Sequence, residues 1–390
     1  MMKKLKLQDL TARYKNIIRK IYLEKVVCRS ELLDPLQYST STLYRTINDM
    51  TELGLIEFST LEAPHKRGEL VSLIGSIGYV FSLHLTRTSF RSAFIDMNLN
   101  FYNDQTHKIG KTTTMEDMVK ILRSDFDNGI LQHDISKNDI LGISISSVGP
   151  IDYEKGILLH PISFASIKNW KNVPIRQIFE NEFNLPVMIE CNANACSVGI
   201  YYEKYYNIFK SITYFTISEG IGSGLIVNSN LLPRHHVVQD GLAHMAIEVN
   251  GPLCNCGNYG CVEAYVGIPA LMDSYKRRLK ILGNTENGNI DELTFDDLCD
   301  AVKKGENPAL SIIENASLLL ARGIENYLRI VNIDAVVLGG VIIEKIPLFF
   351  EFTKKAIIRS NESIQVLCGI DESTHILQGA AETYVLSLLA

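Results

Sequence analysis

The sequence predicts an α/β protein in two parts: a small helical head closed by a pair of strands over residues 1–75, and a larger body of alternating strands and helices over 76–390. Three observations carry this division. Apolar residues recur at helical spacing as far as Leu53, two short strands then flank a turn rich in Pro, Gly and basic residues, and from about Gly78 short apolar runs alternate with helix-like segments. At 390 residues the chain exceeds what one hydrophobic core usually covers, and a hydrophobic content of 46% can fill more than one.

In the head, Leu10, Tyr14, Ile17, Ile18 and Ile21 mark a first amphipathic helix ending near Lys25. A second, short helix is expected after Ser30 as N-cap; it carries Leu32, Leu33 and Leu36, and Asp34-Pro35 confines it. A third begins after Ser39 and sets Leu43, Ile47, Met50 and Leu53 on one face, with Thr40, Thr42, Tyr44, Arg45 and Asn48 largely on others, until Gly54 ends it. Leu55 to Ser59 and Leu70 to Leu73 read as two strands joined by EAPHKRGE.

That order is the order of a winged helix-turn-helix. In such modules the third helix enters the major groove of double-stranded DNA and a basic wing touches the flanking backbone. Arg45, Lys66 and Arg67 are therefore the first expected DNA contacts, with Thr40, Thr42, Tyr44 and Asn48 reaching bases or phosphates. A small helical protein-interaction domain would show the same elements. Charge is divided in keeping with a DNA-binding head: residues 1–75 carry twelve Lys/Arg against nine Asp/Glu, and the remainder twenty-six against thirty-five, so the head is +3 and the body −9.

The body opens with YVFSLHLTRTSFRSAFIDMNLN, two apolar runs that predict a hairpin. ILGISISSVGPID reads as a buried strand with a Gly-Pro turn, LPVMIECNANACSVGIYYEKYY as a strand running into a helix, and SITYFTISEGIGSGLIVNSNLL as two strands about a glycine-rich turn. AVVLGG is a strand reaching Gly339 and Gly340, and HILQGAAETYVLSLLA is expected to give a final strand and helix.

Between His244 and Cys261 the chain reads HMAIEVNGPLCNCGNYGC. Only 8 cysteines occur in the whole chain, yet three fall within this stretch behind a histidine, with Gly257 and Gly260 to turn the backbone. His244, Cys254, Cys256 and Cys261 have the make-up of a Cys3His zinc site, and four protein ligands would make the metal structural. A disulfide is the rival reading. No signal peptide or long apolar run is apparent, so a cytoplasmic protein with reduced thiols and no membrane association is expected. His235 and His236, in the loop before His244, read as surface residues.

Taken together, the head, the glycine-rich hairpins, GPLCNCGNYGCVEAY and the final GAA resemble the ROK family of repressors and sugar kinases, over essentially the whole chain. The resemblance implies a two-lobed, actin-like (ribonuclease-H-like) ATPase fold with a ligand cleft between the lobes, and a homodimer or homotetramer. It also allows a test for kinase activity. Family kinases carry Asp-x-Gly-x-Thr in the first hairpin, where this chain has His84-Leu85-Thr86-Arg87-Thr88. They carry Glu-Asn-Asp-x-Asn with a general-base aspartate, where this chain has Glu190-Cys191-Asn192-Ala193-Asn194. A carboxamide has no usable basicity near neutral pH, and general-base help is worth roughly 10²- to 10⁴-fold. Gly241 stands where the kinases place a sugar-binding glutamate, and Glu219 where they place a threonine in the second phosphate loop.

The expectation is thus a DNA-binding transcriptional regulator, a repressor of carbohydrate-related genes, with an inactive kinase-like body. A small carbohydrate or sugar-phosphate effector is expected near Asn192, His244 and Glu263, and operator DNA on the head. Two alternatives stand beside it: a working ATP-dependent sugar kinase with an appended DNA-binding head, and a ligand-independent DNA-binding protein.

Overall fold

The structure is a computed structural model and describes residues 7–33, 39–58, 69–159, 170–232, 241–283 and 289–390. The chain forms two compact units, Met1–Cys191 with Ile376–Ala390, and Asn192–His375.

In the first unit, α1 (Ala12–Glu24) buries Ile17, Ile18, Ile21 and Tyr22, and ends where Lys25 turns to φ 65°. A three-residue strand, β1 (Val26–Cys28), follows. It was too short to leave a periodic signal in the sequence. The expected second helix begins as a 3-10 turn, Arg29–Leu32, and Cys28 rather than Ser30 caps it, because the Glu31 carboxylate reaches back to accept the Cys28 amide at 3.0 Å. Pro35 and Leu36 lie outside the described residues.

The next helix, α2 (Thr40–Glu52), starts at Ser39, whose hydroxyl accepts the Thr42 amide at 3.2 Å. Leu43, Ile47 and Met50 are buried as expected, whereas Leu53 is 37% exposed because it is already the C-cap, past the last turn that faces the core. Thr46 is buried instead and donates its hydroxyl to the Thr42 carbonyl at 2.8 Å. Strands β2 (Ile56–Phe58) and β3 (Leu70–Leu73) complete an antiparallel sheet of order β1-β3-β2.

This segment does not have a core of its own. Ile17, Leu43, Met50 and Val71 belong to one apolar cluster with Val80 and Ile95 of the following sheet and Leu377, Tyr384 and Val385 near the C-terminus. The following sheet contains β4 (Tyr79–Leu85), β5 (Ser89–Asp96) and β6 (Phe101–Lys108), a meander whose first hairpin was legible in the sequence. Helix α3 (Met115–Gln132) then leads to β7 (Ile140–Ser147), and after the small β8 (Ile151–Asp152) and β9 (Ile157–Leu158) ribbon, α4 (Ile175–Phe183) leads to β10 (Val187–Cys191). β7 and β10 run parallel to β4, giving the order β10-β7-β4-β5-β6. Phe81, Phe94, Phe126 and Phe183 pack in tilted and edge-to-face pairs beneath it.

The second unit repeats the scheme. Helix α5 (Asn192–Ile200) runs on into a π-type turn, Tyr201–Tyr205. Strands β11 (Ile212–Ile217) and β12 (Ile221–Val227) form a hairpin extended by β13 (Asn230–Leu231). After the cysteine-rich stretch come α6 (Glu263–Val266), α7 (Ile268–Ile281), α8 (Phe295–Lys303) and α9 (Ala309–Leu328). β14 (Ala335–Gly339), α10 (Val341–Lys345), α11 (Pro347–Ser360) and β15 (Gln365–Cys368) close the sheet β13-β12-β11-β14-β15, with β14 and β15 parallel to β11.

The last element is α12 (Glu372–Leu388). The strand expected at His375-Ile376-Leu377-Gln378 is absent; these residues lie inside α12, where Ile376, Leu377, Ala380, Ala381, Tyr384 and Val385 continue one buried helical pattern. A two-residue apolar run is too short to decide between strand and helix, and burial decided it. No helix among the described residues is long and apolar enough to cross a membrane.

Candidate functional site

The cysteine-rich stretch folds into a knot of turns. Gly260 takes φ 69°, and a Cβ there would meet the Glu248 carbonyl oxygen at 1.6 Å, so only glycine fits. Gly257 takes φ 90° in the turn that joins Cys254 to Asn258. These turns bring one ligand atom from each of His244, Cys254, Cys256 and Cys261 to within 4.8 Å of one another, an arrangement that could hold a metal ion. His244 Nδ1 lies 3.5 Å from the Cys254 sulfur, and the sulfurs of Cys256 and Cys261 are 3.7 Å apart. A disulfide needs about 2.05 Å, so the cysteines stand as free thiols. Burial, with the neighbouring Cys256 and Cys254 thiols, pushes the Cys261 thiol up to about 12.

Two residues beyond the last cysteine, Glu263 opens α6. Its carboxylate accepts the Ile221 amide at 3.0 Å, at the first residue of β12. The adjacent residue, Gly222, packs on Ala193 of α5: a Cβ at Gly222 would stand 3.1 Å from the Ala193 Cβ. Glu263 and Ala193, the neighbour of the half-buried Asn192, thus meet successive residues of one strand, while His244 is turned into the thiol cluster through Nδ1. Gly241 is exposed, and a Cβ there would meet nothing within 4 Å. Space for a side chain exists at that position, and the sequence does not supply one. His235, His236 and Asp240 lie outside the described residues.

The corresponding hairpin of the first unit is built differently. His84 is 6% exposed on β4, and burial together with the Arg91 charge opposite lowers its pKa to about 3. It is neutral across the physiological range. In the turn, the Thr86 hydroxyl accepts the amides of Thr88 at 3.2 Å and Ser89 at 2.9 Å, and donates to the Ser89 carbonyl at 3.0 Å. The amides at the head of the hairpin are therefore already engaged within the turn.

On the head, Thr40, Tyr44, Arg45 and Asn48 are exposed on α2, and Thr42 is half-buried, its hydroxyl accepting from Ser39 at 2.8 Å. Lys66 and Arg67 lie outside the described residues. Sequence reasoning passed over Arg29, which stacks on Tyr44 with its guanidinium carbon 3.7 Å from the ring centre. Only its basic character, eleven residues ahead of Thr40, could have drawn attention to it.

Set beside known proteins, residues 80–374 match the ROK family profile. The xylose repressor of Bacillus subtilis strain 168 is 26% identical over 368 residues, covering 93% of this chain and 89% of the repressor. The glucokinase of Thermotoga maritima is 32% identical over 205 residues, 51% of this chain and 63% of the kinase. Among solved structures, a ROK family transcriptional regulator described as a homologue of the E. coli MLC protein superposes with a TM-score of 0.79 at 17% identity, over 97% of each chain. A ROK glucokinase of Streptomyces griseus, solved with glucose and AMPPNP, gives 0.65 at 20% identity, over 78% of this chain and 99% of the kinase. At these identities the superpositions speak for the fold: an α/β, actin-like sugar-kinase architecture. With the family profile spanning most of its length, this chain belongs to the ROK family.

Proposed function

We propose that this protein is a DNA-binding transcriptional repressor of sugar-related genes whose kinase-like body binds a ligand without phosphorylating it. The observation that carries the reading is the first hairpin turn. Phosphoryl transfer works by positioning and by neutralising charge with metal and backbone amides. Here a neutral, buried His84 replaces the metal-handling acid, and the Thr86 hydroxyl has taken the turn amides. Asn192 in place of the general base removes a second requirement. Further support comes from the xylose repressor, similar along nearly the whole chain, and from the regulator superposition, which covers 97% of this chain where the glucokinase one covers 78%.

The head is read as a winged helix-turn-helix, with α2 in the major groove and Arg45, Lys66 and Arg67 as its first DNA contacts. Domain limits of 1–75 and 76–390 follow from that reading, although the head shares a core with the first sheet and α12. A homodimer or homotetramer in the cytoplasm would present two heads to a palindromic operator.

The thiol cluster fits zinc. Tetrahedral zinc with bonds of about 2.3 Å to sulfur and about 2.05 Å to nitrogen sets sulfurs roughly 3.8 Å apart and nitrogen roughly 3.6 Å from sulfur. The distances here, 3.7 and 3.5 Å, match. His244 Nδ1 and the sulfurs of Cys254, Cys256 and Cys261 would hold the ion, and four protein donors leave it a structural clamp. The ligand is proposed to bind near Asn192, His244 and Glu263. A small carbohydrate or sugar phosphate is the ligand class that such hydroxyl-binding groups suit.

Two measurements test the reading. Calorimetric titration with a panel of sugars and sugar phosphates should give heat for at least one, and none for any would remove the sensing role. A coupled ATP-consumption assay with the same panel should give no turnover; turnover abolished by Asn192→Ala would restore the kinase alternative.

A further inference from the structure

We propose that Arg29 is the positioning residue of the DNA interface: it locks α2 to the β2–β3 hairpin and leaves Asn48 facing DNA as a hydrogen-bond donor. The proposal rests on the repressor reading above.

Arg29 is only 8% exposed, a rare state for a charged side chain unless it is paired. Its guanidinium holds three segments at once. One edge donates from Nη1 to the Glu69 carboxylate at 2.8 Å, and the Arg29 amide donates to the Glu69 carbonyl at 2.9 Å. The other edge donates from Nη2 to Asn48 Oδ1 at 3.2 Å and to the Tyr44 carbonyl at 3.4 Å. The flat face lies 3.7 Å from the Tyr44 ring centre and 5.9 Å from that of Phe58.

Phe58 ends β2 and Glu69 immediately precedes β3, so they stand at the facing ends of the two paired strands. Tyr44 and Asn48 are four residues apart and share one face of α2. One side chain therefore grips the middle of the helix and both strand ends. Helix and hairpin cannot slide past one another without breaking this fork and stack. At 8% exposure the guanidinium is inside the joint rather than laid out for a phosphate.

The joint also sets what Asn48 can read. A guanidinium has donors and no acceptor, so the Asn48 atom facing it must be the amide oxygen. The amide nitrogen is then turned away from Arg29. The usual asparagine–adenine pair uses the oxygen as acceptor and the nitrogen as donor together. With its oxygen held by Arg29, Asn48 presents N–H groups, which suit acceptors such as guanine N7 and O6, thymine O4 or a phosphate.

The test uses the full wild-type chain to enrich bound duplexes from a randomised DNA pool. Affinities for the selected duplex and for a scrambled one are then read by fluorescence anisotropy over a range of salt. Arg29→Met should weaken the selected duplex about 10- to 100-fold, as loss of a central anchor does. Binding to the scrambled duplex and its salt slope should stay within about twofold, because no phosphate contact is lost. Arg29→Lys should not restore specific binding, since an ammonium has neither the planar fork nor the stacking face. Asn48→Asp, which turns the outward donor into an acceptor, should lose specific binding as well.

Arg29→Met binding the selected duplex like wild type would overturn the proposal. Equal weakening on both duplexes with a shallower salt slope would also overturn it, making Arg29 a phosphate contact. Should Arg29→Met fail to fold by circular dichroism, Glu69→Gln takes its place; a loss of about threefold confined to the selected duplex is expected for one weakened charged hydrogen bond, and unchanged binding would overturn the proposal. A wild-type chain that enriches no sequence overturns the repressor reading itself, and this proposal with it.

Discussion

The turn between β4 and β5 and the turn between β11 and β12 occupy the same topological place: each closes an antiparallel hairpin whose first strand is flanked, on its other side, by two parallel strands. The first turn is closed by a side chain, with the Thr86 hydroxyl holding the amides of Thr88 and Ser89. The second is closed from outside, with Glu263 holding the Ile221 amide and the Ser218 hydroxyl accepting the Val341 amide at 3.0 Å. In the first, a threonine side chain stands in the turn itself. In the second, the glycines persist, yet packing accounts for them: a Cβ at Gly224 would meet Ser197 Oγ at 2.4 Å and the Ala193 carbonyl oxygen at 2.6 Å. A run of glycines in such a hairpin therefore reports close helix–strand approach before it reports a nucleotide.

Because Glu263 follows the thiol cluster so closely, the thiol loop and the second turn should stand or fall together, while the first turn should not notice. The largest effect is expected from a strong chelator. A free metal concentration about 1,000 times its Kd is worth about 4 kcal/mol, and at about 2–4 °C per kcal/mol its removal should lower the melting temperature of the zinc-loaded protein by about 10 °C. Hydrogen exchange should speed up at Ile221 and not at Ser89; equal change at both amides would break the comparison.

Next in size is a pH effect confined to the first hairpin. The folded-state pKa of His84 is lowered to about 3, against about 6.5 unfolded, so the unfolded chain binds the extra proton between those values. The stability from the neutral His84 is fully present above about pH 6.5 and is lost as pH falls toward about 3, by up to about 1.4 kcal/mol per pH unit. Urea unfolding of wild type and His84→Gln between pH 7 and 5 measures it, and parallel curves would show that His84 does not contribute.

A smaller effect sharpens the second turn. Gly224→Ala should destabilise by about 1–3 kcal/mol through overpacking against the Ala193 carbonyl, read as a lower urea midpoint at an unchanged m-value. No change would mean that the glycine is there for something other than packing. Smallest is Thr86→Val, expected to cost about 1 kcal/mol for the lost turn hydrogen bonds, with no gain of ATP consumption. A gain would mean that the hydroxyl was all that closed the first turn.

Much of this was legible in the chain. Helix α2 announced itself through Ser39, its apolar spacing and Gly54, and the cluster of His244 with three cysteines was visible as a donor set before any coordinates. Strand β1 was not, since three residues carry no period, and the final helix was split in expectation because His375-Ile376-Leu377 alternates ambiguously. Leu53 and Thr46 exchanged places because a helix cap lies outside the buried stripe that spacing alone extends to it. Arg29 stayed hidden for a different reason: its partners Glu69, Asn48 and Tyr44 lie up to 40 residues away, and no local pattern couples them.

By itself, the sequence determined the Cys/His donor set of the thiol loop, the non-acidic His84 and Asn192 at the two turns that were read for kinase chemistry, and the amphipathic order of the head, because each depends on residue identity and short-range spacing. Only the tertiary structure decided which amides the Thr86 hydroxyl occupies, that Glu263 holds the second turn, and that Arg29 sits inside the joint of the head. Those are pairings between groups whose hydrogen-bonding needs are met across folded backbone, and composition is silent on which of many equal donors and acceptors meet.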